Sequence, residues 1–511
     1  MATRLYSVQA LRQIEVAAQA NLPAGELMRR AGAAAAKLIH AQRQDARTLI
    51  VCGPGNNGGD GYVCAAELKQ LGHPVTLVAL APPSTADARA AAQRWNEAGG
   101  AVVPSLPSAE HDVIVDAMFG IGMARPLGDA YLDAARWMSS RRQHVLAIDV
   151  PSGLDADRGA WVGDVPGVHA HATLTFLGAK PGLFTHDGVD AAGVVHVDDL
   201  GIASPAPAGA LLEPSDFAPV LAPRPRNSHK GSYGNVLVVG GHVGMVGAAL
   251  IAARAALRLG AGRVYVDCIG APEMRLDPAQ PELMFRRGAD VVPVDALVIG
   301  CGLGADAAAA AALRFALLQP TPLVIDADAL NLIAADTALQ RTLRAHGQSC
   351  VLTPHPLEAG RLLGLSAREI QQDRIRAACM LADRFSCGVV LKGAGTVIAG
   401  ASGDYWINPT GSPALATAGT GDALAGMIGA MIAQQITPAV AARAAVWLHG
   451  AAADEFSDEI GLTAAEIAPI AARILSRLRR GTVGADASRV QFDAAGAARR
   501  DLRIVGDEHQ G

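Results

Sequence analysis

The stretch TLIVCGPGNNGGDG, residues 48–61, joins a short apolar run to a cluster of glycines. The run is typical of a buried strand, and a helix is expected from about Asp60 to Gly72. The glycines then lie at the carboxyl end of a strand, where an open α/β sheet binds its ligands. They let backbone N–H groups approach a phosphate, and the amino terminus of a helix favours negative charge. The stretch therefore predicts an α/β fold with an anion site.

A tight turn without a ligand is the alternative, and neighbouring polar residues disfavour it, namely Asn56, Asn57 and Asp60. Short β-branched runs alternate with alanine-rich stretches along the rest of the chain, which indicates βα units and a mostly parallel sheet. Further strands are expected at residues 74–80, 112–118, 144–149 and 235–241, and at RVYVDC, ALVIGCG, PLVIDAD, SCVLTPH and GVVLKG. Helices are expected at residues 8–20, 25–42, 419–435, 437–456 and 463–479.

The length of 511 residues exceeds what one hydrophobic core usually organises. Prolines interrupt residues 201–227, so we expect no regular element there and place a domain boundary in that segment. The expected domains are residues 1–215 and 225–480, followed by a polar tail at 481–511.

The composition excludes several classes of function. A net charge of −5 without a basic run argues against nucleic-acid binding. The seven cysteines lack C-x-x-C spacing, and an odd number argues against a disulfide framework or a zinc site. We expect no membrane segment, because no run of about 20 apolar residues occurs. A cytoplasmic location follows as an expectation, and alanine-rich amphipathic helices favour a homo-oligomer.

Polar residues follow three of the expected strands at their carboxyl ends. Asp116 and Asp149 end two strands, and Ser152 follows the second one closely. One of these carboxylates, the hydroxyl of Ser152 and the amide of Asn57 together form a set of one carboxylate and neutral oxygens, which suits a monovalent cation better than Mg²⁺. The alternative is that the two aspartates only cap the turns that follow them.

Taken in order, GNNGGDG, DAMFGIG, DVPSGLDAD and FLGAKPG resemble the amino-terminal domain of the bifunctional NAD(P)H-hydrate repair enzymes, over about residues 5–215. The resemblance implies a Rossmann-like, three-layer epimerase domain. It also implies that two loops hold the hydrated dinucleotide, formed by Asn56, Asn57, Gly58, Gly59 and Asp60 and by Gly120, Ile121, Gly122, Met123, Ala124, Arg125 and Pro126. The implied ligands of a potassium ion, K⁺, are Asn57, Asp116 and Ser152.

By the same resemblance, Asp149 lies beside the reactive ring of the substrate. Inversion at C6 requires the hydroxyl to leave and a water to return from the other face, so a carboxylate must exchange protons. Asp149 is the first candidate for this role. Lys180 either assists it or only supplies positive charge near a phosphate.

A second glycine-rich site is expected in AGTGDALAG, residues 418–426, where Asp422 lies in the first turn of an apolar helix. Backbone N–H groups there can stabilise a moving phosphoryl group, and Asp422 can act as the base for an attacking hydroxyl. An ordinary helix start with a favourable aspartate is the alternative. Likewise, His355 and Glu358 in TPHPLE are either site residues or an ordinary turn histidine and a helix-terminal charge.

Six motifs in the second half resemble, in order, the ribokinase-like dehydratase domain of the same family, over about residues 225–480: HKGSYGNVLVVGG, GCGLG, DADALN, TPHPLE, KGAGT and AGTGDALAG. The implied contacts to the hydrate are Ala248, Gly302, His355 and Asp422. The implied contacts to ADP are Lys392, Gly393, Ala394, Gly395, Thr396 and Gly421. Glu358 is expected to organise Mg²⁺ through water. Cys301 and Leu357 depart from the family, which usually has proline and often glycine at these positions.

The implied function is repair of NADHX and NADPHX, the hydrates of NADH and NADPH. The first domain interconverts the R and S epimers, and the second dehydrates the S epimer with ADP, releasing AMP and phosphate. Three alternatives stay open: a vitamin or sugar kinase in the second half, a non-catalytic binding module in the first, and a dehydrogenase. The last is disfavoured because the usual G-x-G-x-x-G fingerprint with its later acidic residue is missing.

Overall fold

The computed structural model describes residues 3–205, 207, 209–287, 290, 293–456, 458–481 and 503–504. Two compact units are formed, an amino-terminal unit mainly from Arg4–Gly209 and a carboxy-terminal unit mainly from Ala210 onward. This division falls within residues 201–227, while the predicted bounds of 1–215 and 225–480 stay a prediction. Apart from Gly481 and Arg503–Ile504, the predicted polar tail lies outside the described residues.

The amino-terminal unit contains a sheet whose neighbouring strands run parallel. The short strand β1 (Arg4–Leu5) lies in this unit but outside the sheet. The strands of the sheet are β2 (Thr48–Cys52), β3 (Val75–Ala79), β4 (Val102–Val103), β5 (Val113–Ala117), β6 (His144–Ile148), β7 (Ala172–Phe176) and β8 (Val194–Asp198). Its helices are α1 (Val8–Gln19), α2 (Glu26–Gln42), α3 (Asn56–Gln70), α4 (Ala86–Glu97), α5 (Asp129–Ser139) and α6 (Gly188–Ala191). The main part of the strand order is β8-β7-β6-β5-β2-β3-β4, and a short strand at Arg503–Ile504 pairs with β8.

Helices cover both faces of this sheet, which makes the unit three-layered. On one face, Ile50 and Cys52 of β2 pack into a core with residues of α2 and α3. On the other face, Leu49 and Val51 pack with Ala134 of α5. Burial on both faces explains why β2 is apolar at successive positions rather than at alternate ones.

The carboxy-terminal unit has a mixed sheet. Its strands are β9 (Gly209–Leu211), β10 (Asn235–Gly240), β11 (Arg263–Cys268), β12 (Met284–Phe285), β13 (Ala296–Ile299), β14 (Leu323–Ile325), β15 (Cys350–Leu352), β16 (Gly388–Leu391), β17 (Val397–Ala399) and β18 (Tyr405–Ile407). The order is β9-β18-β17-β16-β15-β14-β13-β10-β11-β12. The strands from β16 to β12 run parallel, whereas β16, β17 and β18 pair antiparallel.

Ten helices in the described part of the chain accompany this sheet: α7 (Val246–Arg258), α8 (Ala307–Leu317), α9 (Ala327–Ala335), α10 (Thr337–His346), α11 (Pro356–Leu363), α12 (Ala367–Gln372), α13 (Arg374–Phe385), α14 (Thr420–Ala433), α15 (Pro438–Glu455) and α16 (Ala464–Gly481). Helix α14 is buried from Ala423 to Ala433 in a core shared with α7, α15 and α16. Gly426 permits the close approach to α7, because a Cβ there would lie 2.0 Å from the carbonyl oxygen of Ala252.

The predicted α/β class is confirmed, and the predicted strands and helices quoted above occur, with ends that differ by a few residues. Helix α3 begins at Asn56 rather than near Asp60. The first turn of α3 requires glycine because it packs tightly on the preceding loop: a Cβ on Gly58 would lie 1.9 Å from the carbonyl oxygen of Gly53. The expectation that residues 201–227 hold no regular element is wrong, because β9 and a 3₁₀ helix at Pro214–Leu221 lie there. Proline is compatible with the first position of a helix. In the described residues, every helix is too short or too polar to cross a membrane.

Candidate active sites

A cavity of about 770 Å³ opens at the carboxyl ends of β2, β5 and β6, which are neighbours in the sheet. The residues predicted from sequence that line it are Asn56, Asn57, Asp60, Gly120, Ile121, Gly122, Met123, Asp149 and Lys180. The cavity lining does not include five other predicted residues, Gly58, Gly59, Ala124, Arg125 and Pro126. Gly58 and Gly59 instead pack inside α3, where their missing side chains let the helix approach its neighbours.

An ion pair between Asp149 and Lys180 lies in this cavity. The Nζ atom of Lys180 donates to Asp149 Oδ1 at 2.6 Å and to the carbonyl oxygen of Phe176 at 2.8 Å. The backbone N–H of Ile121 donates to Asp149 Oδ2 at 3.0 Å. Lys180 is 1% exposed, so its charge acts on Asp149 with little screening by water. Of the two roles predicted for Lys180, its contacts favour a direct partnership with Asp149.

The backbone around Asp149 is shaped to present its carboxylate. Asp149 has φ of 70°, a left-handed conformation that is uncommon for residues other than glycine. The carboxylate lies directly against Gly120, where a Cβ would be 2.5 Å from Asp149 Oδ2. Glycine at position 120 is therefore required by the position of the carboxylate.

A second carboxylate is buried beneath the cavity. Ser152 donates to Asp116 through its backbone N–H at 2.8 Å and through its hydroxyl at 2.7 Å. The N–H of Met118 also donates to Asp116 Oδ1, at 3.1 Å. Burial raises the pKa of Asp116 to about 6, against these hydrogen bonds, which lower it. Asp116 thus caps the turns that contain Met118 and Ser152, as one of the two predictions for it stated, and it also places a carboxylate in the protein interior.

Asn57, at the start of α3, carries the observation that points to a cation. Its Oδ1 and Nδ2 atoms are buried and have no hydrogen-bond partner among the described residues. A buried amide without a partner costs free energy, which a bound ion or ligand would recover. The amide oxygen, the Asp116 carboxylate and the Ser152 hydroxyl therefore fit the donor set of K⁺.

Sequence reasoning missed Glu15, which lines the same cavity from α1. Burial raises the pKa of Glu15, and the charge of Asp149 raises it further. Burial likewise raises the pKa of Asp60 well above its usual range, with added effects of Asp149 and Glu15. The amphipathic pattern of α1 identified Glu15 as a polar position, but nothing in the sequence indicated that it faces a ligand cavity.

In the carboxy-terminal unit, the predicted residues follow neighbouring strands. Gly302 follows β13, His355 follows β15 and Lys392 follows β16, in a sheet that runs β16-β15-β14-β13. Gly302 and Ala248 are adjacent, since a Cβ on Gly302 would lie 3.1 Å from that of Ala248. Gly421 lies beside Lys392, because a Cβ on Gly421 would be 3.2 Å from its Nζ atom.

Asp422 lies at the start of α14 in a cluster of charged groups. Burial raises the pKa of Asp422 to about 6, and the charge of Asp326 contributes to the increase. Asp326 directly follows β14 and accepts a 2.6 Å hydrogen bond from Nζ of Lys392. Sequence reasoning quoted the motif that contains Asp326 but gave this residue no role. Its place directly after a buried strand was the available signal.

His355 and Glu358 form a capping box at the start of α11. The N–H of His355 donates to Glu358 Oε2 at 2.8 Å, and His355 Nδ1 accepts from the N–H of Leu357 at 3.1 Å. Glu358 is 4% exposed and lies 4.0 Å from Nζ of Lys392. Burial favours its neutral form, but the hydrogen bond from His355 and the charge of Lys392 outweigh this and lower its pKa. The predicted pair thus has a structural role, and Glu358 also faces the charge cluster.

The loop KGAGT, residues 392–396, wraps around Arg374, another residue that the sequence did not reveal. Arg374 donates to the carbonyl oxygens of Leu391 at 3.1 Å and Lys392 at 3.3 Å. Gly393 has φ of 138° and packs on the guanidinium, 2.8 Å from where its Cβ would be. Thr396 closes the loop by donating to the oxygen of Gly393 at 2.9 Å. The loop is therefore held from below by a buried arginine.

Known proteins match both units. The family described as NAD(P)H-hydrate dehydratase matches residues 236–474, and the family described as YjeF-related protein N-terminus matches residues 24–182. The bifunctional NAD(P)H-hydrate repair enzyme Nnr of Coxiella burnetii is 39% identical over 90% of this chain and 96% of its own length. That of Escherichia coli is 38% identical over 85% of this chain and 86% of its own length.

A solved structure also matches. The ADP/ATP-dependent NAD(P)H-hydrate dehydratase of Bacillus subtilis, co-crystallised with ATP and Mg²⁺, is 33% identical and covers 52% of this chain and 98% of its own, with a TM-score of 0.46. The identity and coverage of the curated relatives confirm the resemblance of the sequence motifs in both halves. The chain belongs to the family of bifunctional NAD(P)H-hydrate repair enzymes.

Proposed function

We propose that the amino-terminal cavity epimerises NADHX and NADPHX, and that the carboxy-terminal charge cluster dehydrates the S epimers with ADP. The chain is an enzyme with two activities, an isomerase and a lyase. The observation that carries the assignment of sites is a pair of lysine–carboxylate contacts, each at 2.6 Å and one in each unit, in which both carboxylates are buried. Both lie at strand ends where α/β sheets bind ligands.

In the epimerase reaction, the hydroxyl on C6 leaves as water while the ring nitrogen donates its electron pair. A water then adds to the opposite face and loses a proton, so the net change is inversion at C6. Asp149 is the group that gives and takes these protons. Lys180 keeps the carboxylate of Asp149 in one orientation through the Nζ–Oδ1 contact of 2.6 Å. The cavity of about 770 Å³ is large enough for the nicotinamide end of the coenzyme.

K⁺ would be held by Asn57, Asp116 and Ser152. A bound cation supplies a fixed positive charge near the anionic dinucleotide and balances the buried Asp116 carboxylate. The buried and unpartnered Oδ1 atom of Asn57 supports this assignment, because an amide oxygen is a ligand for K⁺. Asp116 and Ser152 are already joined by two hydrogen bonds, so these two donors are oriented in advance.

In the dehydratase reaction, the C6 hydroxyl attacks the terminal phosphoryl group of ADP. The new O–P bond replaces the bond to AMP, and Asp422 takes the hydroxyl proton. The C6–O bond then breaks with release of phosphate, and loss of the C5 proton restores the dihydronicotinamide double bond. Phosphorylation is needed because hydroxide is a poor leaving group.

The surrounding residues can stabilise the negative charge on the phosphoryl group during its transfer. The start of α14, at Gly419 to Gly421, provides backbone N–H groups, and Lys392 adds a positive charge. Mg²⁺ would neutralise phosphate oxygens, and Glu358 would bind its water rather than the ion, since both of its oxygens already contact His355. The loop KGAGT is proposed to hold ADP, with Ala248, Gly302 and His355 beside the hydrate.

The test is to incubate the purified protein with mixed NADHX epimers, ADP and Mg²⁺ and to follow the absorbance of NADH. Complete recovery of the mixture supports both activities, and recovery of the S fraction alone contradicts the epimerase assignment. A stable phosphorylated product without NADH would favour a kinase instead. Replacing ADP by ATP tests the nucleotide preference. A homo-oligomer, a cytoplasmic location and the absence of nucleic-acid and membrane partners stay predictions.

A further inference from the structure

Cys301 lies in the loop GCGLG that follows β13. Its side chain is fully buried. The Sγ atom and one carboxylate oxygen each of Asp326 and Asp422 all lie within 4.8 Å of one another. The buried thiol therefore lies close to the carboxylate of Asp422, and its interaction with that carboxylate lowers the pKa of Asp422.

We propose that Cys301 is a positioning residue for dehydration: its thiol donates to one oxygen of Asp422, which stabilises the ionised carboxylate and leaves the other oxygen free for the substrate hydroxyl. The proposal rests on the proposed role of Asp422 as the base. A base that accepts a proton must be ionised when substrate binds, and a fixed donor on one oxygen restricts the rotation of the carboxylate.

The thiol serves as a donor and not as an ion. Burial raises the pKa of Cys301 well above its ordinary value, and the charges of Asp422 and Asp326 raise it further. The proton therefore stays on sulfur at neutral pH. Lys392 already balances the charge of Asp326 through its 2.6 Å contact. Cys301 thus contributes a hydrogen bond to Asp422 without adding a negative charge to the cluster.

The other groups that face Asp422 explain why a donor matters. Burial raises the pKa of Asp422 to about 6, and Asp326 and Asp328 add to the increase. The hydrogen bond from Cys301 and the charge of Lys392 lower it. From α15, His449 adds no charge near neutral pH, because burial lowers its pKa to about 4, against the hydrogen bond between its Nε2 and the oxygen of Thr420, which raises it. Removal of the thiol therefore leaves Asp422 more readily protonated.

The test compares pH profiles of dehydration for the wild-type protein and for Cys301→Ala and Cys301→Ser. The substrate is S-NADHX with saturating ADP and Mg²⁺, and kcat/KM is measured from about pH 5 to 8. We expect the acid limb of Cys301→Ala to move to higher pH by about half a unit to one unit, a shift of one unit corresponding to ~1.4 kcal/mol. Cys301→Ser keeps a donor and is expected to restore the wild-type limb or to lower it.

Cys350→Ala is the matched control, because Cys350 is equally buried at the start of β15 and its pKa is raised by burial alone. It should leave the acid limb unchanged. A uniform fall in rate at every pH in Cys301→Ala, with no shift of the limb, would overturn the proposal, as would equal shifts in the alanine and serine variants. Asp422→Asn separates the proposed role of Cys301 from the proposed role of Asp422. If it is inactive while Cys301→Ala shows no shift, the role of Cys301 alone is wrong. If it is fully active, the role of Asp422 fails and the proposal fails with it.

Discussion

Replacing Gly120 by alanine is expected to impair epimerisation specifically. The new Cβ would lie 2.5 Å from Asp149 Oδ2 and 3.3 Å from Asp149 Cγ. Contacts below 3.0 Å are not tolerated, so the carboxylate must move by at least about half an ångström. That movement also disturbs the 3.0 Å bond from the N–H of Ile121.

Moving a catalytic group by 1 Å lowers the rate about 100-fold. A displacement of half this size or more therefore predicts a ~10–100-fold slower epimerisation, which corresponds to an activation free energy higher by ~1.4–2.7 kcal/mol. Backbone strain does not add to this figure, because Gly120 is not in the left-handed region. The site of the change is confined to the amino-terminal cavity, so dehydration of the S epimer should continue at the wild-type rate.

The assay supplies R-NADHX or S-NADHX separately, with ADP and Mg²⁺, and records the appearance of NADH. Recovery from the R epimer requires epimerisation first, so the ratio of the two rates isolates that step. Gly128→Ala is the matched control, because Gly128 has φ of −75° and a Cβ there would meet no atom within 4 Å. A wild-type rate on the R epimer for Gly120→Ala, with the protein folded, would refute the inferred position of Asp149.

Three further predictions concern the proposed site residues. Asp149→Asn should abolish epimerisation and preserve binding of NADPHX, measured by calorimetry; an unchanged turnover would remove Asp149 from the mechanism. K⁺ should raise the unfolding temperature of the wild-type protein above its value in Na⁺, whereas Asn57→Ala should lose this difference, and an equal effect in both would argue against the site. The kcat/KM of dehydration should fall about tenfold per pH unit below about pH 6, because burial and Asp326 raise the pKa of Asp422 to about 6 and the base acts only when ionised. Asp422→Asn should be inactive throughout, and a flat profile in the wild-type protein would contradict this assignment.

The sequence predicted where Asp149 lies, because a polar residue that directly follows a strand has a definite position at the carboxyl edge of a parallel sheet. Asp422 was predicted from the glycine-rich start of α14; the structure places Asp149 in contact with the buried Lys180, and Asp422 near the partly buried Lys392. The pairing of Lys180 with Asp149 was not predictable, since it joins residues that are 31 positions apart. Such contacts depend on how β6 and β7 are paired, which a single sequence does not state.

Other residues were missed because their signals resemble ordinary surface or core positions. Glu15 is one polar residue in an amphipathic helix, and only the tertiary packing of α1 brings it to the cavity. Arg374 opens α13 as one charge among several, yet it is 1% exposed beneath the loop KGAGT. The early start of α3 was missed because glycines usually end helices, whereas here tight packing against Gly53 requires them.

The left-handed backbone of Asp149 has an evolutionary consequence. Besides glycine, asparagine and aspartate are the residues that adopt this conformation most readily. A single base change converts an aspartate codon into one for asparagine or for glycine. Mutational drift at this codon is therefore expected to give proteins that keep the architecture of the domain and lose the proton transfer proposed for Asp149. A descendant that only recognises its ligand, without transforming it, is one nucleotide away from the enzyme.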